Sequence, residues 1–190
     1  VFIIFGAFLE RTGIADFFIN VANSVLGGLS GGPAKVAVVA SALLGMVSGS
    51  SVANTVGSGS VTIPLMKRTG YASEFAAATE ASASTGGQIM PPIMGAAAFL
   101  MADYVQVPYS QIALKAILPA VLYFAGIFVA VHLEAKKLGL RGLSREELPR
   151  LRPLLKKVYL LLPLILLVYL VSTSTRSIQY AAAIAIAAAI

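Results

Sequence analysis

The sequence predicts an all-α polytopic membrane protein with a re-entrant helical hairpin and a broken transmembrane helix. Hydrophobic residues make up 58% of the chain and charged residues 12%, against about 25% charged in soluble domains. Two apolar stretches break at mid-length into small polar residues and glycines, at 48–55 and at 85–92. Unpaired backbone groups at membrane depth are tolerated only where protein, a cavity or a ligand satisfies them, so this pattern favours a secondary transporter.

Residues 1–27 are predicted to hold the end of a transmembrane helix and an interfacial arm helix. The apolar run from Val1 ends at the charged pair Glu10-Arg11. In the arm, expected from Ile14 to Leu26, the apolar face at helical spacing consists of Ile14, Phe17, Phe18, Val21 and Val25. Such a face is typical of a helix lying in the membrane interface. A tilted continuation of the preceding helix is the alternative.

Residues 28–70 are predicted to form the re-entrant hairpin. Ala34 to Val47 is apolar for 14 residues, roughly 21 Å of helix against a hydrocarbon core of about 30 Å. A second short helix is expected from Val56 to Met66. Basic residues flank both ends of the unit, at Lys35 and at Lys67-Arg68. A hairpin that enters and leaves by the cytoplasmic face fits this arrangement.

Residues 71–133 are predicted to hold the broken helix and a return helix. The broken helix runs from Ser73 to Met101. Two glycines and two prolines between 86 and 92 interrupt it, because these residues break helices, and the helix is expected to resume at Ile93. The return helix is expected from Ile112 to Leu133.

Residues 134–157 form a basic segment that holds most of the excess positive charge of this +6 chain. The bias of cytoplasmic loops toward Lys and Arg explains such a segment better than nucleic-acid binding does. Residues 158–190 are predicted to add transmembrane helices, truncated at the end, with a turn at 172–179. Both ends of the chain fall inside hydrophobic runs, so we expect a fragment of a longer protein.

The hairpin tip carries the oxygens that a small cation needs. Helix C-termini and unwound carbonyls suit a cation such as sodium, whereas helix N-termini suit an anionic group of a substrate. We expect the two breaks to meet, with Gly86 and Gly87 permitting close approach and Gln88 available as a ligand or substrate contact. Tight helix packing is the alternative role for small residues here. The candidate oxygen donors at the tip are Ser48, Ser50, Ser51, Asn54 and Thr55.

Glu80 lies within the first half of the broken segment, among alanines, one turn before the break. Intramembrane ionisable residues are functional by default. Glu80 is expected either to pair with a cation or to carry and relay a proton. The alternative is a helix-end side chain that reaches the cytoplasmic interface, because Glu80 lies only about 10 Å along the helix from Ser73.

An intramembrane serine hydrolase is the rival class, since Ser50 and Ser60 each follow a glycine. A nucleophilic serine needs a base within hydrogen-bond reach. The only histidine, His132, is expected at the opposite membrane level from the hairpin tip. Cysteine is absent, which excludes thiolate chemistry. We therefore expect no enzyme activity, no catalytic residue and no cofactor.

Four runs of the sequence resemble the large, DctM-like membrane subunit of tripartite ATP-independent periplasmic (TRAP) transporters, and within it the fused permeases of the TAXI branch. The resemblance spans about Phe5 to Pro149. The runs are Gly31-Gly32-Pro33-Ala34-Lys35-Val36, Ser48-Gly49-Ser50-Ser51-Val52-Ala53-Asn54, Ile63-Pro64-Leu65-Met66-Lys67-Arg68-Thr69-Gly70-Tyr71 and Ala83-Ser84-Thr85-Gly86-Gly87-Gln88-Ile89-Met90-Pro91-Pro92. The TAXI likeness rests on Glu80, on the run Gly86-Gly87-Gln88-Ile89-Met90-Pro91-Pro92 and on the connector from Glu134 to Leu143.

This resemblance implies one inverted repeat of an ion-transporter-type elevator fold in a bacterial or archaeal cytoplasmic membrane. It implies sodium-driven uptake of a small organic anion, delivered by a periplasmic substrate-binding protein, with a small membrane subunit or its fused equivalent as partner and membrane lipid around it. By analogy one sodium ion lies among Ser48, Ser50, Asn54, Gly86 and Gly87. The candidate substrate contacts are Ser51, Asn54, Thr55 and Gln88.

Overall fold

The computed structural model describes residues 2–144, 146–172 and 178–188, and every regular element in these ranges is helical. Short 3₁₀ turns cover Gly87–Ile89 and Val158–Leu161. The α-helices of the described residues are α1 Phe2–Arg11, α2 Ile14–Leu26, α3 Gly32–Ser48, α4 Ser51–Arg68, α5 Ser73–Gly86, α6 Ala96–Val105, α7 Tyr109–Lys137, α8 Leu151–Leu155, α9 Leu162–Ser172 and α10 Ile178–Ala187.

Helix α2 has the bounds predicted for the arm. Its buried face includes Phe17 and Phe18 and packs on α3, while Asp16 is exposed. The apolar face is rotated from the predicted one, because Ile19 and Ala22 are buried and Val25 is 62% exposed. Phe17 and Phe18 of the arm therefore pack against α3, the first helix of the hairpin.

Helices α3 and α4 form a tight hairpin whose non-helical tip is Gly49 and Ser50 alone. Gly49 ends α3 with φ +62° and donates its N–H to Gly45 O at 2.9 Å. Ser50 caps α4, since its hydroxyl accepts the Ala53 N–H at 3.3 Å. The prediction of an unwound run at 48–55 was wrong for most of its length, because this cap lets α4 begin at Ser51.

The predicted break of the next helix is confirmed. Helix α5 passes into a 3₁₀ turn, and α6 begins only at Ala96, three residues later than expected. The Ile93 N–H bonds Met46 O of α3 at 3.3 Å, and the Gly95 N–H bonds Gln88 O at 2.7 Å. These bonds satisfy groups that a continuous helix would pair internally, so the break extends past the two prolines.

Among the described residues, α7 is the one helix that is both long and apolar enough to cross a membrane alone. It has 29 residues and packs on α3 and α5. Helices α9 and α10 pack on each other, and α10 contacts α1. Of the predicted turn at 172–179, residues 173–177 lie outside the described residues. Most of α3 is buried among the neighbouring helices, which makes α3 the centre of the fold.

Candidate ion and substrate site

The two predicted breaks meet at a contact between glycine backbones. A Cβ atom added to Gly87 would lie 2.5 Å from the Cα of Gly45, and one added to Gly45 would lie 2.3 Å from the Cα of Gly87. Only residues without a Cβ allow such an approach. Gly45 stands one turn before the hairpin tip, so this contact joins the tip region to the broken helix.

A side-chain hydrogen bond joins the same two regions nearer the surface. The Gln88 amide donates to Ser51 Oγ at 2.7 Å. Gln88 is exposed and Ser51 is half-buried, so both polar groups remain near solvent. The structure thus brings together two of the candidate substrate contacts at the start of α4.

The side chain of Asn54, one turn after Ser51 on α4, points into the interior of the protein. This side chain is 2% exposed, and its Nδ2 donates to Ser41 O on α3 at 2.8 Å. Nδ2 would lie 3.2 Å from a Cβ on Gly45 and 3.5 Å from one on Gly87. Two members of the candidate sodium set, Asn54 and Gly87, are therefore neighbours, with Gly45 as a third neighbour that the sequence did not single out.

The other candidate residues do not join this group. A Cβ on Gly86 would lie 2.5 Å from the ring of Tyr123, so Gly86 faces α7. The hydroxyl groups of Ser48 and Ser50 make local contacts at the tip. Ser50 Oγ caps α4, and Ser48 Oγ lies 3.5 Å from Ser50 N. Thr55 Oγ1 bonds the Ser51 carbonyl oxygen within α4 at 2.8 Å.

Glu80 lies inside a cage of hydroxyl groups. Its side chain is 0% exposed. The Ser41 hydroxyl donates to Glu80 Oε1 at 2.5 Å, Thr62 donates to Oε2 at 2.5 Å, and the Ser58 hydroxyl donates to Oε1 as well. Ser84, one turn further along α5, lies 3.2 Å from Oε1. The carboxyl group is therefore enclosed between α3, α4 and α5 and does not reach the surface.

Sequence reasoning missed the four hydroxyl residues of this cage, although a signal was present. Asn54, Ser58 and Thr62 are spaced by four along α4, and Ser84 follows Glu80 by four along α5. Such spacing places residues on one helix face. Ser41 is the only polar side chain between Lys35 and Ser48. The polar face of α4, together with Ser41 and Glu80 as single polar residues in apolar surroundings, indicates that these side chains share a hydrogen-bond network.

The two serines considered as nucleophiles are engaged locally. Ser50 caps α4, and the Ser60 hydroxyl bonds Gly57 O at 2.8 Å. His132 lies beside Lys35, which is about 20 Å along α3 from the hairpin tip. In the described part of the chain, no imidazole is therefore placed to activate Ser50.

Comparison with known families identifies one that covers the whole chain. Residues 1–190 match the family model "Tripartite ATP-independent periplasmic transporter, DctM component".

Curated relatives point the same way. The chain is 31% identical to the C4-dicarboxylate TRAP transporter large permease protein DctM of Pseudomonas aeruginosa, over 77% of this chain and 34% of that protein. It is 29% identical to the isethionate TRAP transporter permease protein DctMQ of Oleidesulfovibrio alaskensis, over 77% and 23%. It is 27% identical to the sialic acid TRAP transporter permease protein SiaT of Haemophilus influenzae, over 73% and 22%. The chain thus spans about a third or less of the length of these relatives.

Proposed function

Because this chain belongs to the DctM family of tripartite ATP-independent periplasmic transporters, we propose that it forms part of the large permease of a secondary-active importer. The permease takes up a small organic anion with sodium. Its localisation is the bacterial or archaeal cytoplasmic membrane. The family is one of membrane permeases, and this agrees with a transport role for the chain rather than an enzymatic one.

The meeting of the two interrupted helices carries this proposal. Gly45 and Gly87 bring backbone from α3 and from the break within contact distance. Asn54 lies beside them with its Nδ2, a hydrogen-bond donor, on the glycine side. The carbonyl end of α3 and the amide end of α4 both face the same tip. Such ends attract a cation and an anionic group respectively, which is the pair of ligands that sodium-coupled anion import requires.

The membrane arrangement follows from helix lengths and charges. Helices α3 and α4 have 17 and 18 residues, roughly 26 and 27 Å, which falls short of the ~30 Å core. Lys35 lies near the start of the hairpin, and Lys67 and Arg68 lie at its end. We propose a re-entrant hairpin opening to the cytoplasm, moving with the broken helix in an elevator manner. Assignment to the TAXI branch stays a prediction.

The substrate and partners are proposed from the relatives. Their names refer to a C4-dicarboxylate, isethionate and sialic acid, each of which carries an acidic group. A small organic anion, in the first instance a carboxylate, is therefore the proposed cargo. A periplasmic binding protein would deliver it. The small membrane subunit would be separate or fused, as the name DctMQ indicates for one relative.

The Glu80 cage favours a second candidate, coupling to protons. Ser58 Oγ has a single proton, yet it lies 2.7 Å from Asn54 O and 3.1 Å from Ser41 Oγ and also contacts Glu80. Thr62 Oγ1 likewise faces Ser58 O at 3.0 Å and Glu80 Oε2 at 2.5 Å. These hydroxyls have more acceptors than protons. A proton on Glu80 would supply a further donor to the network.

A transport assay separates the two candidates. The full-length permease, with its small subunit and binding protein, is reconstituted in liposomes after a thermal-shift screen of the binding protein has identified the anion. Uptake driven by an imposed sodium gradient at equal pH supports the proposal. Uptake driven by a pH gradient without sodium, and lost in Glu80→Gln, supports the second candidate and contradicts the first.

A further inference from the structure

An apolar cleft of about 480 Å³ runs between α3 and α7. Helix α3 contributes Val39 and Leu43, and helix α7 contributes Val121, Ala125 and Val129. Val121 and Val129 are 52% and 54% exposed. The cleft is lined almost entirely by hydrocarbon.

One end of this cleft is basic. Phe128 lines the cleft, and the Lys35 ammonium lies 5.5 Å from the centre of its ring, within the range of a cation–π contact. On α7, positions 128, 132 and 136 are spaced by four and share one helix face. His132 and Lys136 therefore continue the cleft face beyond Phe128, toward the basic connector.

The charge at this end is not neutralised within the described residues. The Lys35 Nζ donates to Ser30 O at 2.7 Å, a neutral acceptor. The charge of Lys136 acts on both Lys35 and His132. The neighbouring acid, Glu134, lies 3.5 Å from Lys137 instead. Positive charge therefore accumulates where the apolar cleft ends.

We propose that this cleft binds an anionic phospholipid of the cytoplasmic leaflet. One acyl chain lies in the apolar part, and the phosphate accepts hydrogen bonds from the exposed Lys136, in the field of the more buried Lys35. Basic pockets between helices on the cytoplasmic side are suited to anionic headgroups.

The dimensions agree with this occupant. The apolar part from Val121 to Val129 rises about 12 Å along α7, and Lys136 lies about 10 Å further. One leaflet contributes roughly 15 Å of the hydrocarbon core. A chain seated in the cleft thus places its headgroup at the level of the basic end.

Lipid-dependent thermal stability of the delipidated full-length permease in detergent tests the proposal. Phosphatidylglycerol and phosphatidylcholine with the same acyl chains are added at equal concentrations. We expect a larger rise in Tm with phosphatidylglycerol. Equal shifts with the two lipids would overturn the proposal.

Two pairs of variants locate the effect. Lys136→Ala should remove the difference between the lipids, whereas Lys137→Ala, next to it and beside Glu134, should retain the difference. A retained difference in Lys136→Ala would contradict the headgroup assignment.

Ala125→Trp fills the cleft and should abolish the shift caused by phosphatidylglycerol, whereas Ala130→Trp, on α7 but outside the cleft lining, should leave it. If Ala125→Trp instead lowers Tm in the absence of lipid while Ala130→Trp does not, a protein helix occupies the cleft, and the lipid proposal fails.

Discussion

The backbone of Gly45 lies directly against the backbone of Gly87, so that a Cβ on either glycine would stand within 2.5 Å of the other's Cα. The two residues belong to α3 and to the 3₁₀ turn of the broken helix. Their contact joins the last turn of α3 to the break, and the side chain of Asn54 lies beside both glycines.

Gly87→Ala should separate the two segments. The added methyl group meets backbone, which cannot rotate away, so we expect a loss of about 1 to 3 kcal/mol in the free energy of unfolding, together with loss of any sodium-dependent stabilisation. Gly57→Ala is the matched control, because a Cβ there meets nothing within 4 Å. Denaturation of the detergent-purified full-length permease measures both. Equal stability of Gly87→Ala and the wild type would show that the contact is not tight.

Thr62→Val should weaken the cage around Glu80. The substitution keeps the shape of the side chain and removes the hydroxyl that donates to Glu80 Oε2 at 2.5 Å. Leaving a buried carboxyl oxygen without this donor should cost about 1 to 3 kcal/mol. Thr85→Val is the control, since the Thr85 hydroxyl is exposed and bonds the Ala81 carbonyl oxygen within α5. Similar unfolding midpoints for the two variants would argue against a stabilising cage.

Tyr109→Phe should loosen the break itself. The Tyr109 hydroxyl lies 2.9 Å from Pro92 O and 2.6 Å from Ile93 O. Both carbonyl groups lie in the non-helical segment between the 3₁₀ turn and α6. Its removal should lower the free energy of unfolding by about 0.5 to 1.5 kcal/mol. Tyr104→Phe serves as the control because Tyr104 is 86% exposed. A Tm unchanged relative to the wild type in both variants would contradict a role of Tyr109 in holding the break.

Gln88→Leu should affect transport more than stability. Gln88 is exposed, and its amide contacts Ser51 at the start of α4. If the two residues contact the substrate, uptake by the reconstituted transporter should show a raised KM with little change in Tm. Ser60→Ala is the control, since the Ser60 hydroxyl bonds Gly57 O within α4. An unchanged KM in Gln88→Leu would remove this pair from the substrate contacts.

The sequence predicted those features that local chemistry determines. The bounds of α2 follow from its apolar spacing, and the break after α5 follows from the glycine and proline pairs. The non-helical tip was predicted too long because small polar residues such as Ser50 and Ser51 are typical of loops. In the structure Ser50 is instead the N-cap of α4. The cage around Glu80 depends on the packing of three helices whose contacting residues are up to 39 positions apart. Hydropathy does not fix how those helices are rotated, so Ser41 could not be matched to Glu80.

Sodium coupling is tested most directly by the thermal stability of the detergent-purified full-length permease, with choline exchanged for sodium at constant ionic strength. A ligand at about 100 times its dissociation constant should stabilise the folded state by roughly 2.7 kcal/mol. We expect sodium-specific stabilisation that is weakened in Asn54→Ala and retained in Asn20→Ala, because the Asn20 amide bonds the Asp16 carbonyl oxygen in α2, away from the hairpin tip. No response of the wild type to sodium, combined with a pH-dependent Tm shift that Glu80→Gln abolishes, would contradict sodium coupling and place proton binding at Glu80.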